Sequence, residues 1–265
     1  MSTAPTIKDE IHNRIATANW AFGALPDNAL LDSEYLDVGF GSGNALIAAA
    51  LKGARKISGI DIDFQQQSQA TETYVPPFAN FWKLASNAGF EDSKFQLIDG
   101  DFLTHNFKGT LFDIVSLIDV VEHLNDPIAS IKKCASLLQP NGFLLIAGGG
   151  FYYSNQGHHL WHWWPPETMS WRHLWKDFTN DSQERIRNET GVADWYWAEF
   201  KRLNRVTVSQ VRNACREAGL REVSFTPLVA GGAEIERVAE KIDMSHVPAL
   251  EDLFLAGLVL VCSRN

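Results

Sequence analysis

From residue 34 onward, short unbroken apolar runs alternate with stretches whose apolar residues recur at helical spacing. The runs at 34–38, 56–62, 94–98, 112–118 and 143–147 read as strands; the stretches at 45–52, 65–74, 78–88 and 127–138 read as helices. Strands that are apolar on both faces are covered on both sides, as in a parallel sheet. Strand and helix in regular alternation predict a doubly wound α/β sheet with helices on both faces. The punctuation agrees. Pro76-Pro77 stops the helix before it, because proline lacks the N–H donor and clashes with the preceding turn. Gly89 closes the next one. Asp126 stands as N-cap ahead of Pro127 at the first helical position. The turn Gln139-Pro140-Asn141-Gly142 leads into the fifth strand.

The alternation then breaks. Residues 150–206 are dense in Trp, His and Tyr. A helix returns at 207–218, with Thr207 and Gln210 spaced as a capping box and Gly219 at its end. Two last strands are predicted at 221–227 and 253–262, around a Gly-rich and then charged excursion at 230–250. Ahead of the first strand, residues 7–24 form a helical segment carrying Ile11, Ile15, Trp20 and Phe22. Repeats and low-complexity linkers are lacking. The chain therefore reads as one domain over 1–265, with an N-terminal helical segment (1–30) and an insertion (150–206) that covers an acceptor site.

Composition narrows the function classes. The 265 residues are 45% hydrophobic and 21% charged, ordinary for a globular protein. The net charge of -9 and the lack of Lys/Arg-rich runs disfavour nucleic acid, which is bound by cations that displace its counterions. A small-molecule partner is favoured. Cys134, Cys215 and Cys262 lack C-x-x-C spacing and read as free thiols of a reducing compartment. Residues 1–10 carry no basic stretch followed by an apolar run, and no apolar stretch approaches the ~20 residues of a membrane span. A cytoplasmic protein without membrane contact is expected.

The candidate chemistry lies at the strand ends. Leu36-Asp37-Val38-Gly39-Phe40-Gly41-Ser42-Gly43-Asn44 runs from a strand through alternating glycines into a helix. Such glycines permit positive φ and close approach of backbone to a ligand; on their own they also fit a tight turn without one. The second strand ends in Gly59-Ile60-Asp61-Ile62-Asp63, about 20 residues on, where a carboxylate accepts from ribose hydroxyls. Asp99-Gly100-Asp101-Phe102 follows the third strand, pairing a carboxylate with a ring that suits adenine. Asp119-Val120-Val121-Glu122-His123-Leu124 follows the fourth.

In this order and spacing the set resembles the class I S-adenosylmethionine-dependent methyltransferases, over residues 34–148 and more weakly over 203–262. Asn44 and Leu46 depart from the G-x-G-x-x-G of nicotinamide enzymes. The resemblance implies a mostly parallel seven-stranded Rossmann-like methyltransferase fold with an aromatic-rich insertion after strand 5, and S-adenosyl-L-methionine as cofactor. It further implies that Gly39, Phe40, Gly41 and Gly43 line the methionine and ribose part and that Asp37 orients the turn or meets the amino group. Asp61 then holds the ribose, Ile62 packs on adenine, Asp101 and Phe102 read adenine, and Asp119 and Val120 meet the methionine end.

Methyl transfer from a sulfonium needs a base only when the acceptor must lose a proton, and histidine suits that near neutral pH. His123 lies just beyond the fourth strand, and His158 and His159 lie in the aromatic insertion. These are the catalytic candidates. Asp119-x-x-Glu122-His123 also resembles part of the magnesium site of small-RNA 2′-O-methyltransferases, although metal-free relatives carry the Glu-His pair too, and a metal-free site is expected. The insertion's rings can wall a pocket and attract the sulfonium through their faces. Trp171/Trp175 and Trp197/Phe200 share helical faces and either dock the insertion or build a subunit interface, such as a homodimer's. The leading expectation is O-methylation of a small polar metabolite, sugar or natural product. Alternatives are a metal-dependent RNA 2′-O-methyltransferase and a non-catalytic cofactor-binding interaction module.

Overall fold

Among the described residues, seven stretches take extended geometry: β1 (Glu34–Val38), β2 (Lys56–Asp61), β3 (Phe95–Asp99), β4 (Phe112–Ile118), β5 (Leu138–Gly149), β6 (Leu220–Val229) and β7 (Leu255–Arg264). In the computed structural model, which describes residues 7–62 and 77–265, they form one sheet in the order β3-β2-β1-β4-β5-β7-β6. β1 to β5 are parallel, and β7 runs antiparallel between β5 and β6. The expected doubly wound, mostly parallel seven-stranded sheet is thus observed. The chain order reverses between β1 and β4, and at such a switch point the loops leaving the strand ends diverge and open a crevice for ligand.

The helices are α1 (Ile7–Arg14), α2 (Ala16–Phe22), α3 (Asn44–Leu51), α4 (Phe81–Asn87), α5 (Pro127–Ser136), α6 (Pro166–Met169), α7 (Gln183–Thr190), α8 (Asp194–Arg202), α9 (Val208–Glu217) and α10 (Gly232–Val238). On one face of the sheet, α2, α3 and α4 pack with Tyr35, Ile57, Phe95 and Leu145. Residues Ala45 to Ala50 of α3 are all buried, because four alanines among them let the helix lie close to the strands. On the other face, α5 and α9 pack on Leu36, Val115, Leu144 and Leu260. Val208, Val211 and Cys215 give α9 one apolar stripe at i, i+3 and i+7. Both expected caps form: Asp126 accepts from Ala129 N–H, and Thr207 and Gln210 bond reciprocally.

Residues 152–203 build a third core around Trp164 and Trp171, both fully buried. The excursion at 230–250, Gly-rich and then charged in sequence, joins this core through Val238 and Ile242. Trp175 bridges to Ile242, Lys176 N–H donates to Lys241 O, and Asp243 N–H donates to Leu174 O. The two segments hold each other, a contact between residues ~70 apart that local patterning does not register. Other differences are local. The expected helix 78–88 divides into a 3₁₀ turn, Pro77–Asn80, and α4. β5 starts at Leu138 rather than 143, since Leu138 pairs with Phe112 across a register shift. The helix expected at 65–74 lies outside the described residues.

Candidate active site

The chain leaves β1 through three glycines with positive φ: Gly39 at 70°, Gly41 at 48° and Gly43 at 75°. Each has a different reason. A Cβ on Gly39 would sit 2.2 Å from Val120 Cγ2, so this glycine lets the loop after β4 close on the turn. A Cβ on Gly43 would sit 2.3 Å from Phe81 Cδ2, and Gly43 caps α3 in left-handed geometry. Gly43 lines neither of the two cavities beside the turn: its place is steric, where a ligand-lining role was expected. Only Gly41 meets nothing within 4 Å, its missing Cβ leaving open space beside the turn. Its N–H donates to Asp61 Oδ2 at 2.9 Å, which ties the end of β2 to the turn. Phe40 turns its ring inward onto Phe78, at 5.3 Å between centroids.

Two cavities meet at Gly39. The smaller, 230 Å³, is lined by Asp37, Phe40, Gly41 and Asp119 together with Arg14 and Thr17 from the N-terminal helices. Asp37 is buried; it accepts from Ser116 Oγ at 2.5 Å, and Ser116 in turn shares a 2.6 Å bond with the Tyr35 hydroxyl. Burial, against the two hydroxyls and with Asp61 and Asp119 nearby, raises its carboxyl to about 7. Burial also raises Asp119, which a Gly149 N–H partly offsets, and Asp119 holds φ at +50°. Carboxylates crowded in this way favour a cationic occupant. Sequence patterning missed Arg14 and Thr17; an arginine ending a short amphipathic helix carries no mark of a ligand group.

The larger cavity, 570 Å³, is lined by Asp61, Ile62, Asp101, Phe102, Val120 and His123. Ile62 is 57% exposed, an apolar side chain held open beside Asp61. Asp101 Oδ1 accepts from Leu103 N–H at 2.6 Å, which fixes the loop after β3. Phe102 is less available than expected. It packs on Phe107, with Lys133 Nζ 5.2 Å from its ring, and most of its surface belongs to the core. Glu199 and Arg202 of α8 complete the rim and went unnoticed in the sequence.

The three candidate histidines part company. His123 lines the larger cavity with 38% of its side chain exposed, and burial lowers its pKa, so it stands neutral and able to take a proton. The His159 ring lies 5.0 Å from it and stacks on Trp161. His159 Nε2 meets Gly150 O at 2.8 Å; a carbonyl only accepts, so Nε2 carries the hydrogen and Nδ1 the lone pair. His158 corrects the expectation. It is sealed inside the insertion core against Trp164, its Nδ1 accepting from Leu160 N–H, and it cannot act as a base on an acceptor from there.

Glu122, His123 and His159 bring one ligand atom each to within 4.8 Å of one another. Glu122 is buried, and desolvation raises its carboxyl to about 8. A carboxylate and two imidazoles form a donor set suited to a divalent metal. Asp119, part of the sequence resemblance to a metal site, faces the smaller cavity instead.

Comparison with known proteins places the fold in a family. The methyltransferase-domain family matches residues 11–224. A ubiquinone biosynthesis O-methyltransferase from Parvibaculum lavamentivorans is 33% identical over 92 residues, covering 32% of this chain and 33% of that protein. The chain spans less than half the length of the curated relatives it matches, 47% in a relative of the same name from Actinobacillus pleuropneumoniae. Among solved structures, an S-adenosylmethionine-dependent methyltransferase from Mesorhizobium loti has a TM-score of 0.51 at 16% identity, covering 93% of this chain and 98% of that one. A geranyl diphosphate C-methyltransferase from Streptomyces coelicolor, in complex with S-adenosyl-L-homocysteine, has a TM-score of 0.55 at 12% identity over 94% of this chain and 76% of that one. At such identities the structural likeness is one of fold. With a family match over most of its length and a glycine turn at the switch point of the matching sheet, the chain belongs to the methyltransferase-domain family, of the class I S-adenosylmethionine-dependent kind.

Proposed function

We propose that this chain binds S-adenosyl-L-methionine across the two cavities and moves its methyl group to an oxygen of a small hydroxylated acceptor. The observation that carries the reading is the glycine turn at which both cavities meet, with Asp61 on one side and Asp37 and Asp119 on the other. Asp61 and Ile62 suit the ribose and adenine. The acidic smaller cavity suits the methionine ammonium, and Arg14 offers a partner to its carboxylate. The name of the O-methyltransferase relatives supports oxygen as the target atom. A cytoplasmic setting fits; among the described residues no helix is long and apolar enough to cross a membrane.

The chemistry asked of the residues is modest. The sulfonium is already activated, so holding the acceptor oxygen in line with the methyl carbon supplies much of the rate. Neutral His123 would take the proton of the acceptor O–H, and bound S-adenosylmethionine would supply the methyl group, leaving as the thioether. The products are a methyl ether, S-adenosylhomocysteine and an imidazolium. Calorimetric titration with S-adenosylmethionine, S-adenosylhomocysteine and NAD is the test. Binding of the first two with one site per chain, weakened by Asp61→Ala, is expected; selective NAD binding would overturn the reading.

One observation favours a second reading, the Glu122–His123–His159 cluster. A divalent cation there would acidify a bound hydroxyl as a Lewis acid, and Glu122, His123 and His159 would then serve as ligands with no base among them. Magnesium-dependent turnover separates the two readings. The net charge of -9 gives no support to RNA as the acceptor.

A further inference from the structure

A third cavity, 690 Å³, is larger than either of the others and lies wholly outside them. Helix α8 is the wall between: Glu199 and Arg202 face the cofactor cavity, while Phe200 and Lys201 face this one. Its volume falls within the range of small-molecule sites. It opens between the aromatic insertion and the excursion at 230–250, the two segments that share the third core.

Its chemistry is uneven. In a protein of net charge -9, Lys176, Lys201 and Arg205 line it against one carboxylate, Asp243. That carboxylate is engaged: Oδ1 accepts from Ser245 N–H at 3.0 Å and Ser245 O–H at 2.6 Å, and Oδ2 lies 3.6 Å from His246 Nε2. Lys201 pairs with Glu184 at 3.3 Å, and Lys176 Nζ donates to Glu240 O at 2.7 Å. Arg205 differs. It lies over the Tyr152 ring at 5.0 Å, and no carboxylate among the described residues pairs with it. A guanidinium already seated on a ring and short of an anion is suited to a carboxylate beside an aromatic plane.

Next to it lies His173. His173 is buried, its Nε2 is 2.5 Å from Tyr152 O, and its Nδ1 has no partner. The carbonyl only accepts, so Nε2 carries the hydrogen and Nδ1 presents a lone pair. That nitrogen has no surface open to the cavity, and a second unpartnered ring nitrogen, His158 Nε2, lies on a ring 5.4 Å away inside the same core, so His173 gives the cavity aromatic wall only. Trp175 and Phe178 supply further aromatic wall.

We propose that this cavity is a ligand site for an aromatic carboxylate, with the carboxylate on Arg205 and the ring against Tyr152 and Phe178. The site is independent of the methyl-transfer reading, and either can fail without the other. The probes are the three hydroxybenzoate isomers, titrated calorimetrically into the full chain saturated with S-adenosylhomocysteine. At least one isomer binds at one site per chain without displacing the nucleoside. The matching hydroxybenzamide, which lacks the charge, binds at least ~10-fold more weakly, and so does the hydroxybenzoate to Arg205→Gln. Failure of all three isomers to bind at millimolar concentration, competition with S-adenosylhomocysteine, or equal affinity in Arg205→Gln overturns the proposal.

Discussion

Replacing Asp37 by Asn tests the electrostatics beneath the glycine turn. Asp37 is buried, and desolvation raises its carboxyl from 3.8 to about 7, more than the Ser116 and Tyr35 hydroxyls offset. The folded protein therefore keeps a proton that the unfolded chain releases above pH 3.8. Stability from this group is complete below 3.8 and is lost as pH rises through about 7. The whole gap is worth ~4 kcal/mol at ~1.4 kcal/mol per pH unit, and ~2–3 kcal/mol of it falls between pH 5 and pH 8. Urea denaturation of the cofactor-free protein at pH 5, 6, 7 and 8 measures it. Wild type should lose stability relative to Asp37→Asn by about that amount across the series, because Asn keeps the shape and cannot ionise. Parallel pH dependence in the two proteins would refute the argument. A cationic ligand group in the smaller cavity favours the ionised form, so cofactor affinity should rise with pH through about 7 in wild type and flatten in the variant.

Gly41 and Gly43 should separate folding from binding. Gly43→Ala drives a methyl to 2.3 Å from Phe81 in a left-handed backbone, and thermal melting should show a loss of ~2–4 kcal/mol. Gly41→Ala meets open space, so it should cost only the ~1 kcal/mol of backbone strain while weakening S-adenosylhomocysteine binding measured by calorimetry. Arg14→Gln should lower cofactor affinity about tenfold and leave the melting temperature within a few degrees of wild type. His123→Ala should reduce kcat by ~10²–10⁴ with cofactor affinity nearly unchanged, since the side chain acts on the acceptor. Turnover that survives a chelator assigns His123 to proton transfer, whereas restoration by magnesium assigns it to a metal with Glu122 and His159.

Local pattern was enough for the sheet and for most of the turn. A parallel strand buried on both faces must be an apolar run, and its turn into a helix at a ligand edge must use residues that tolerate positive φ. Glu34–Val38, Gly39, Gly41, Asp61 and Asp101 were therefore visible as a set. The roles within the set were less visible. Gly39 and Gly43 look alike in sequence, yet the loop after β4 closes on one and Phe81 on the other. The three histidines are likewise equivalent as letters. His158 became a core residue and His159 a neighbour of His123 because the chain folds back through the turns at 154–160, which put one ring beneath Trp164 and the other beside the strand edge.

The amino-acid order alone thus determined the fold class and the ligand edge, because both follow from periodicity and backbone freedom within a few residues. Tertiary structure alone decided what lies across that edge. Arg14 reaches the smaller cavity from the N-terminal helices, Glu122 and His159 converge from segments far apart in the chain, and residues 230–250 close the aromatic core. Each of these depends on distance in space between residues distant in sequence, which is set by how the elements pack.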